Sequence, residues 1–165
     1  MIINDSNKKI KLCDSILKIM KEYIQSSPKS CEAGGILIGR ENSGNENLII
    51  EYATRPMEYD KRSRRKYTRK DEKHLLFYQE LYEKSNKIYA YIGEWHTHPE
   101  NIPNYSYIDE NNWKKIGRIM NGGNQYHIIV GIMEIGIWLY NADLKIIRKV
   151  SSIEWKRIEQ DETFY

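Results

Sequence analysis

The sequence has few cysteines and lacks the segments that would place it in a membrane. No apolar run approaches the about 20 residues that a membrane-spanning helix needs. The N-terminus, Met1 to Asp5, has no basic region followed by an apolar core, so we expect no signal peptide. Cys13 and Cys31 do not form a CxxC pair. Isolated thiols are typical of a reducing compartment, where both would be buried as small apolar side chains. We therefore expect a cytoplasmic protein without a membrane partner.

Strong net charge and repetition are also absent. The 165 residues carry a formal net charge of +3 at pH 7, and so mild a charge does not indicate a nucleic-acid partner. The chain contains no internal repeats and no low-complexity tracts. Its length is most simply explained by one domain that covers residues 1–165.

The apolar residues recur at spacings that predict alternating helices and strands, with strands in the majority. We expect a short strand or lead-in at 10–12, helices at 14–26, 71–86, 106–120 and 153–159, and strands at 31–40, 48–53, 88–98, 125–133, 135–140 and 145–150. Asp14 is the predicted N-cap of the first helix, and strand 48–53 should return antiparallel to strand 31–40. Short turns between neighbouring strands favour a mixed or largely antiparallel sheet flanked by helices, which is an α+β fold.

The segment from Arg55 to Lys70 is strongly basic. It holds eight Lys or Arg side chains against two acids, a net charge of +6 in sixteen residues. Three interpretations are open. The segment is a solvated surface loop, which is the usual role of a charge run, a clamp for an acidic stretch of a protein substrate, or a nucleic-acid binding element. We favour the clamp, because no stacking platform or recognised nucleic-acid motif accompanies the charge.

Two of the four histidines, His96 and His98, follow an apolar run and are two residues apart. Residues i and i+2 of a strand point to the same face, so both imidazoles should project to one side. Two converging neutral imidazoles are the beginning of a transition-metal site. We expect His74 and His127 to be ordinary structural residues and not ligands.

Asp109 and Glu32 can complete such a site. Ser106 and Asp109 have the spacing of a helix capping box, which alone explains them. Alternatively Asp109 supplies an oxygen ligand, leaving a fourth position open as in catalytic zinc sites. Glu32, beside an apolar strand, is either a solvated loop residue or the base that moves a proton from water to the leaving group. Ser106 could then stabilise an oxyanion.

Glu32, the pair His96-x-His98, seven residues, Ser106, two residues and Asp109 resemble the JAMM motif of the JAB/MPN-type zinc metallopeptidase family. The resemblance extends over nearly the whole chain. It implies the cytidine-deaminase-like JAB/MPN fold with a curved mixed sheet. It also implies one catalytic Zn²⁺ held by His96, His98 and Asp109, with Glu32 as general acid and base and Ser106 at the oxyanion.

Members of this family cleave after the C-terminal tail of ubiquitin or a ubiquitin-like protein. Gly93 to Pro99 and the segment after Arg55 resemble the bacterial JAB peptidases of type II CBASS anti-phage operons. That resemblance implies partners: a cGAS-like nucleotidyltransferase whose C-terminal tail is conjugated to targets, and a ligase system similar to ubiquitin-activating and ubiquitin-conjugating enzymes. Two alternatives stay open: a JAB enzyme that processes a ubiquitin-like sulfur-carrier protein, and a non-catalytic MPN scaffold.

Overall fold

A computed structural model describes residues 1–162 of the protein. Within that range the chain forms a mixed eight-stranded sheet, a separate two-stranded hairpin and four helices. The strands are β1 (Ile2–Asp5), β2 (Lys8–Leu12), β3 (Gly34–Glu41), β4 (Leu48–Ala53), β5 (Lys61–Ser63), β6 (Lys66–Thr68), β7 (Ala90–Thr97), β8 (Asn124–Val130), β9 (Glu134–Asn141) and β10 (Ile146–Glu154). The helices are α1 (Asp14–Glu22), α2 (Lys73–Lys84), α3 (Tyr107–Ile119) and α4 (Trp155–Glu162).

The main sheet has the order β1-β2-β4-β3-β7-β8-β9-β10. Strand pairs β2–β4 and β7–β8 are parallel, and the other neighbours are antiparallel. The sheet curves until its first and last strands approach each other. Asp5 of β1 accepts a hydrogen bond from the Tyr126 hydroxyl at 2.8 Å and pairs with Arg148 of β10. The predicted α+β architecture with a curved mixed sheet is confirmed.

Side-chain alternation in the strands separates the two faces of the sheet. In β3, Leu37 packs into the core that contains α1 and α4, whereas Ile36 and Ile38 pack on the opposite side with α2. Trp113 of α3 covers that second face further along, against Trp138 of β9. Because the first turn of α3 lies beside the end of β7, this face carries the candidate site.

Several predicted boundaries were wrong for local reasons. A full hairpin, β1–β2, precedes the first helix; its short strands alternate with lysine and give a weak apolar signal. Asp14 is the first residue of α1 and not its N-cap, which is Cys13. The helix ends at Glu22, four residues before the predicted 26. β10 continues to Glu154, so the last helix begins at Trp155 and not at 153. The prediction that both cysteines are buried was also wrong, because each of them is only half-buried.

The basic segment is a folded part of the structure. It contains the β5–β6 hairpin, and the buried carboxylate of Asp60 ties the two ends of the segment together. Its oxygens accept hydrogen bonds from the backbone N–H groups of Met57 and Lys70, each at 2.8 Å, and from that of Asp71 at 3.0 Å. The segment is therefore a folded hairpin and not an irregular loop, although its strand β5 is exposed to solvent. Among residues 1–162, no helix has the length and apolar character that crossing a membrane requires.

Candidate metal centre and its cleft

Strand β7 carries both histidines to one end of the sheet. It ends at Thr97, and the backbone N–H of His98 donates to Val130 O at 2.9 Å, which keeps His98 aligned with the strand. Between the histidines, Thr97 points to the opposite face, where its hydroxyl donates to Gln25 Oε1 at 3.0 Å and accepts from the N–H of Ala33 at 2.9 Å. The backbone that presents the two imidazoles is thus held from both sides.

The start of α3 presents Asp109 to the histidines. Ser106 is the N-cap, and its Oγ accepts from the N–H of Asp109 at 3.2 Å. In return, Asp109 Oδ2 accepts from the Ser106 N–H at 2.6 Å and from its hydroxyl at 2.7 Å. The capping box therefore exists, and it orients the carboxylate at the same time. The two interpretations of this motif describe one structure.

Three potential ligand atoms converge between these elements. His96 Nε2 and His98 Nε2 are 3.0 Å apart, and they lie 3.1 Å and 3.4 Å from the two carboxylate oxygens of Asp109. The three side chains are only 10 to 12% exposed. Atoms bound to a tetrahedral zinc at about 2.0–2.1 Å lie about 3.3 Å from one another. The donor set and its spacing therefore fit Zn²⁺.

Electrostatics in the cluster favour a negatively charged Asp109. Burial raises the pKa of this carboxyl, but hydrogen bonds from His96 and His98 outweigh burial and hold the pKa well below its usual range. Burial lowers the pKa of His98, while the hydrogen bond and charge of Asp109 raise it more, so the net direction is upward. The centre thus attracts a cation, either a proton or a metal ion.

Glu32 lies at the same cleft and is 5% exposed. Burial raises the pKa of its carboxyl, and the charges of His96 and His98 oppose the shift. The β5–β6 hairpin holds its backbone, since the Glu32 N–H donates to Ser63 O at 2.8 Å and Arg62 Nε donates to the Glu32 carbonyl at 2.7 Å. The structure therefore brings all five sequence-selected residues to one place, whereas their individual roles stay predictions.

The cleft has a volume of about 440 Å³ and runs between β6 and α3. Arg65, Lys66, Arg69 and Lys115 line it, and Arg69 pairs with Glu94 at 2.8 Å. Two other cations of the basic segment form hydrogen bonds to backbone carbonyl groups of the protein itself. Arg62 donates to the carbonyl of Glu32, and Arg64 donates to Ser27 O at 2.8 Å. Only part of the +6 charge of the segment therefore faces the cleft.

Glycines let the strands approach one another behind the site. A Cβ on Gly34 would lie 2.6 Å from both Trp95 O and the Tyr67 ring. A Cβ on Gly35 would lie 2.1 Å from Thr54 O. Real Cβ atoms do not come so close to backbone atoms, so both positions require glycine.

The remaining two histidines lie outside the metal cluster, as predicted. His127 is buried, stacks on Trp113 with 4.5 Å between ring centroids, and accepts from the Glu94 N–H at 3.2 Å. His74 is also buried, and its Nε2 lies 2.8 Å from Asp60 Oδ2. Sequence analysis missed the network around Asp60, which also accepts from the Tyr67 hydroxyl at 2.8 Å. No short-range motif links these residues.

Fold and side-chain cluster together define a class: α+β proteins in which two histidines and one carboxylate that could hold a metal ion lie at the end of a mixed sheet. Residues 18–141 match the family described as prokaryotic homologs of the JAB domain, and the chain belongs to that family.

Curated relatives agree with this assignment. A protein named CD-NTase/cGAS isopeptidase from Pseudomonas aeruginosa (strain BWHPSA011 / Pa011) is 33% identical over 113 residues, which are 68% of this chain and 70% of the relative. A protein of the same name from Vibrio cholerae serotype O1 is 26% identical over 151 residues, 92% of this chain and 93% of the relative.

A solved structure supports the fold. The solution structure of protein DSY2949 from Desulfitobacterium hafniense matches with a TM-score of 0.57 at 17% identity, and the match covers 85% of this chain and 88% of that one. At this identity the likeness concerns the fold alone.

Proposed function

We propose that the protein is a zinc-dependent isopeptidase that removes the C-terminal tail of a cGAS-like nucleotidyltransferase, or of a ubiquitin-like protein, from the target to which it is conjugated. The convergence of His96, His98 and Asp109 beside Glu32 carries the proposal. The names of the relatives support the substrate class. The proposed setting is the cytoplasm during anti-phage defence, with a ligase system resembling ubiquitin-activating and ubiquitin-conjugating enzymes as partner.

His96, His98 and Asp109 would hold the zinc ion. Zinc in such a site supplies Lewis-acid chemistry, which activates water for attack and polarises the scissile carbonyl. Glu32 accepts the proton of the attacking water and delivers it to the leaving amine. Its burial suits this role, because a raised pKa makes the carboxylate a stronger base toward the attacking water and keeps the acquired proton on the carboxyl until the leaving amine takes it.

Ser106 is proposed to steady the oxyanion that forms on the carbonyl oxygen. In the structure its hydroxyl donates to Asp109 at 2.7 Å. Donation to the oxyanion therefore requires rotation of the hydroxyl away from Asp109. The same hydrogen bond gives Ser106 a second task, which is to orient the carboxylate that binds the metal.

One assay tests the proposed function. The purified chain is analysed for zinc and given a C-terminal tail fused to a reporter protein, with and without a chelator. We expect stoichiometric zinc, cleavage after the tail, and loss of cleavage by at least about a hundredfold in Glu32→Ala, since general base catalysis contributes about 10²–10⁴-fold. Glu41→Gln, at the opposite end of β3, is the matched control and should retain full activity.

Cleavage that survives chelation or Glu32→Ala would refute the metallopeptidase mechanism. Absence of both zinc and cleavage would instead indicate the scaffold function. Cleavage of a sulfur-carrier tail in preference to a nucleotidyltransferase tail would place the protein in a biosynthetic pathway.

A further inference from the structure

One ring nitrogen at the metal centre is buried without a hydrogen-bond partner among the described residues. It is Nδ1 of His98, whose Nε2 faces the cluster. A neutral imidazole that presents Nε2 to a metal carries its proton on Nδ1. A buried N–H donor without an acceptor is costly, so the loaded site requires an acceptor at this position.

Glu100 is placed to be that acceptor. Its Oε2 lies 3.7 Å from His98 Nδ1, about 1 Å longer than a charge-assisted hydrogen bond. The backbone of Glu100 is fixed, because its carbonyl accepts from the N–H of Ile132 at 2.7 Å. The carboxylate also accepts from the Asn104 N–H at 3.2 Å, which keeps it on the side of the loop that faces the histidine. Its side chain is 53% exposed, so a small rotation that closes the gap meets little resistance.

We propose that Glu100 is a positioning residue that accepts a hydrogen bond from His98 Nδ1–H when the centre holds zinc. This contact fixes the tautomer in which Nε2 is free to bind, and the carboxylate raises the basicity of the imidazole. Ser106 serves Asp109 in the same way. Glu100 and Ser106 thus orient two of the three ligands from opposite ends of the loop between β7 and α3. The inference rests on the proposed zinc-dependent function.

The first test measures zinc affinity of the full chain by competition with a chromogenic chelator. Loss of a carboxylate that orients a metal-bound histidine lowers metal affinity about 10- to 100-fold, and we expect this in Glu100→Ala. Glu100→Gln keeps a neutral acceptor and should fall between Glu100→Ala and the wild type. Glu110→Gln is the matched control, because Glu110 also neighbours a ligand but pairs with Lys114. It should bind zinc within about threefold of the wild type.

The second test observes the Nδ1 proton of His98 directly. In the zinc-loaded wild-type protein, the Nδ1 proton of His98 should give a slowly exchanging NMR signal, which is the signature of a buried, hydrogen-bonded imidazole N–H. In zinc-loaded Glu100→Ala the same proton should exchange rapidly. Thermal unfolding of the zinc-free proteins should be equal, which separates positioning of the ligand from general destabilisation.

The outcomes are distinguishable from failure of the proposed function. A wild-type chain that binds no zinc refutes the proposed function and this inference together. A wild-type chain that binds zinc, with equal affinity in Glu100→Ala or with a rapidly exchanging Nδ1 proton, overturns this inference alone.

Discussion

At the residue scale, the site is built from side chains that each make two contacts. Ser106 caps α3 and orients Asp109, and Thr97 binds to Gln25 and Ala33 on the face opposite the histidines. The sequence predicts only one contact of such a residue. The capping-box pattern, for example, predicts that Ser106 caps α3, but it does not predict that the Ser106 hydroxyl also orients the Asp109 carboxylate. The convergence of the candidate ligands His96, His98 and Asp109 was predictable from spacing in the chain, whereas the contacts that orient them required the structure.

His127 should stay neutral far below the pH at which histidine usually becomes charged. Burial lowers its pKa to about 3, and the charge of His96 adds to this. Because the pKa is lower in the folded than in the unfolded chain, His127 contributes stability above about pH 6.5, and this contribution is lost as the pH falls toward 3. NMR of the zinc-free protein should show an uncharged His127 ring at pH 5. A ring signal that titrates near pH 6.5 would contradict the burial argument.

At the element scale, the basic segment is a folded hairpin that supports the site. It holds Glu32 through Ser63 and Arg62, and it is anchored by the buried carboxylate of Asp60. Its charge pattern predicted a substrate clamp but did not reveal which cations are available. Arg62 and Arg64 donate to backbone carbonyls, so their charge reversal would disturb the fold as well as binding.

Three cations of the segment line the cleft, and substrate clamping should depend on Arg65 and Lys66, because the third, Arg69, pairs with Glu94. Charge reversal at Arg65 and Lys66 should raise KM about tenfold and leave kcat within about twofold, because exposed charges act mainly on association. The effect should shrink at high salt. Lys70→Glu, on the same segment but outside the cleft lining, is the control for net charge. Equal KM values for the double variant and the wild type would exclude the clamp.

Asp60→Asn should loosen the same hairpin. An amide nitrogen in place of Oδ2 cannot accept the hydrogen bonds that Met57, Tyr67 and His74 make to this oxygen. We expect the free energy of unfolding to fall by about 2–3 kcal/mol, the cost of leaving such buried groups unpaired. The measurement is urea unfolding, with the 65% exposed Asp14 changed to Asn as control. A change equal to that of the control would show that the network does not anchor the segment.

At the scale of the whole molecule, the α+β class, the order of most elements and the convergence of five site residues followed from the sequence. The β1–β2 hairpin did not, because its alternating lysines weaken the apolar signal. The approach of β1 to β10 also did not follow, since it depends on the cumulative curvature of the sheet. The organisation as one domain over residues 1–165 stays a prediction.

The approach of the first and last strands makes a measurable contribution to stability. Asp5→Ala removes the partner of the buried Tyr126 hydroxyl and of Arg148. We expect a loss of about 2 kcal/mol in the free energy of unfolding, because a buried donor is left unpaired. Glu80→Ala, which breaks an exposed pair with Lys84, should change stability by less than about 0.5 kcal/mol. Equal losses of unfolding free energy in the two variants would show that the contacts of Asp5 stabilise the fold no more than an exposed ion pair does.

The contact between Asp5 and Arg148 can form only late in the synthesis of the chain. The two residues are 143 positions apart. At about 5–20 residues per second, about 7 to 30 seconds pass before a ribosome has made both. Until β10 and α4 are made, the edge of β9 is unpaired and part of the apolar core lacks its cover by Ile153, Trp155 and Ile158, both of which favour aggregation. Yield in a host cell should therefore depend on chaperones and on growth temperature, and a variant that ends before β10 should accumulate mainly in inclusion bodies.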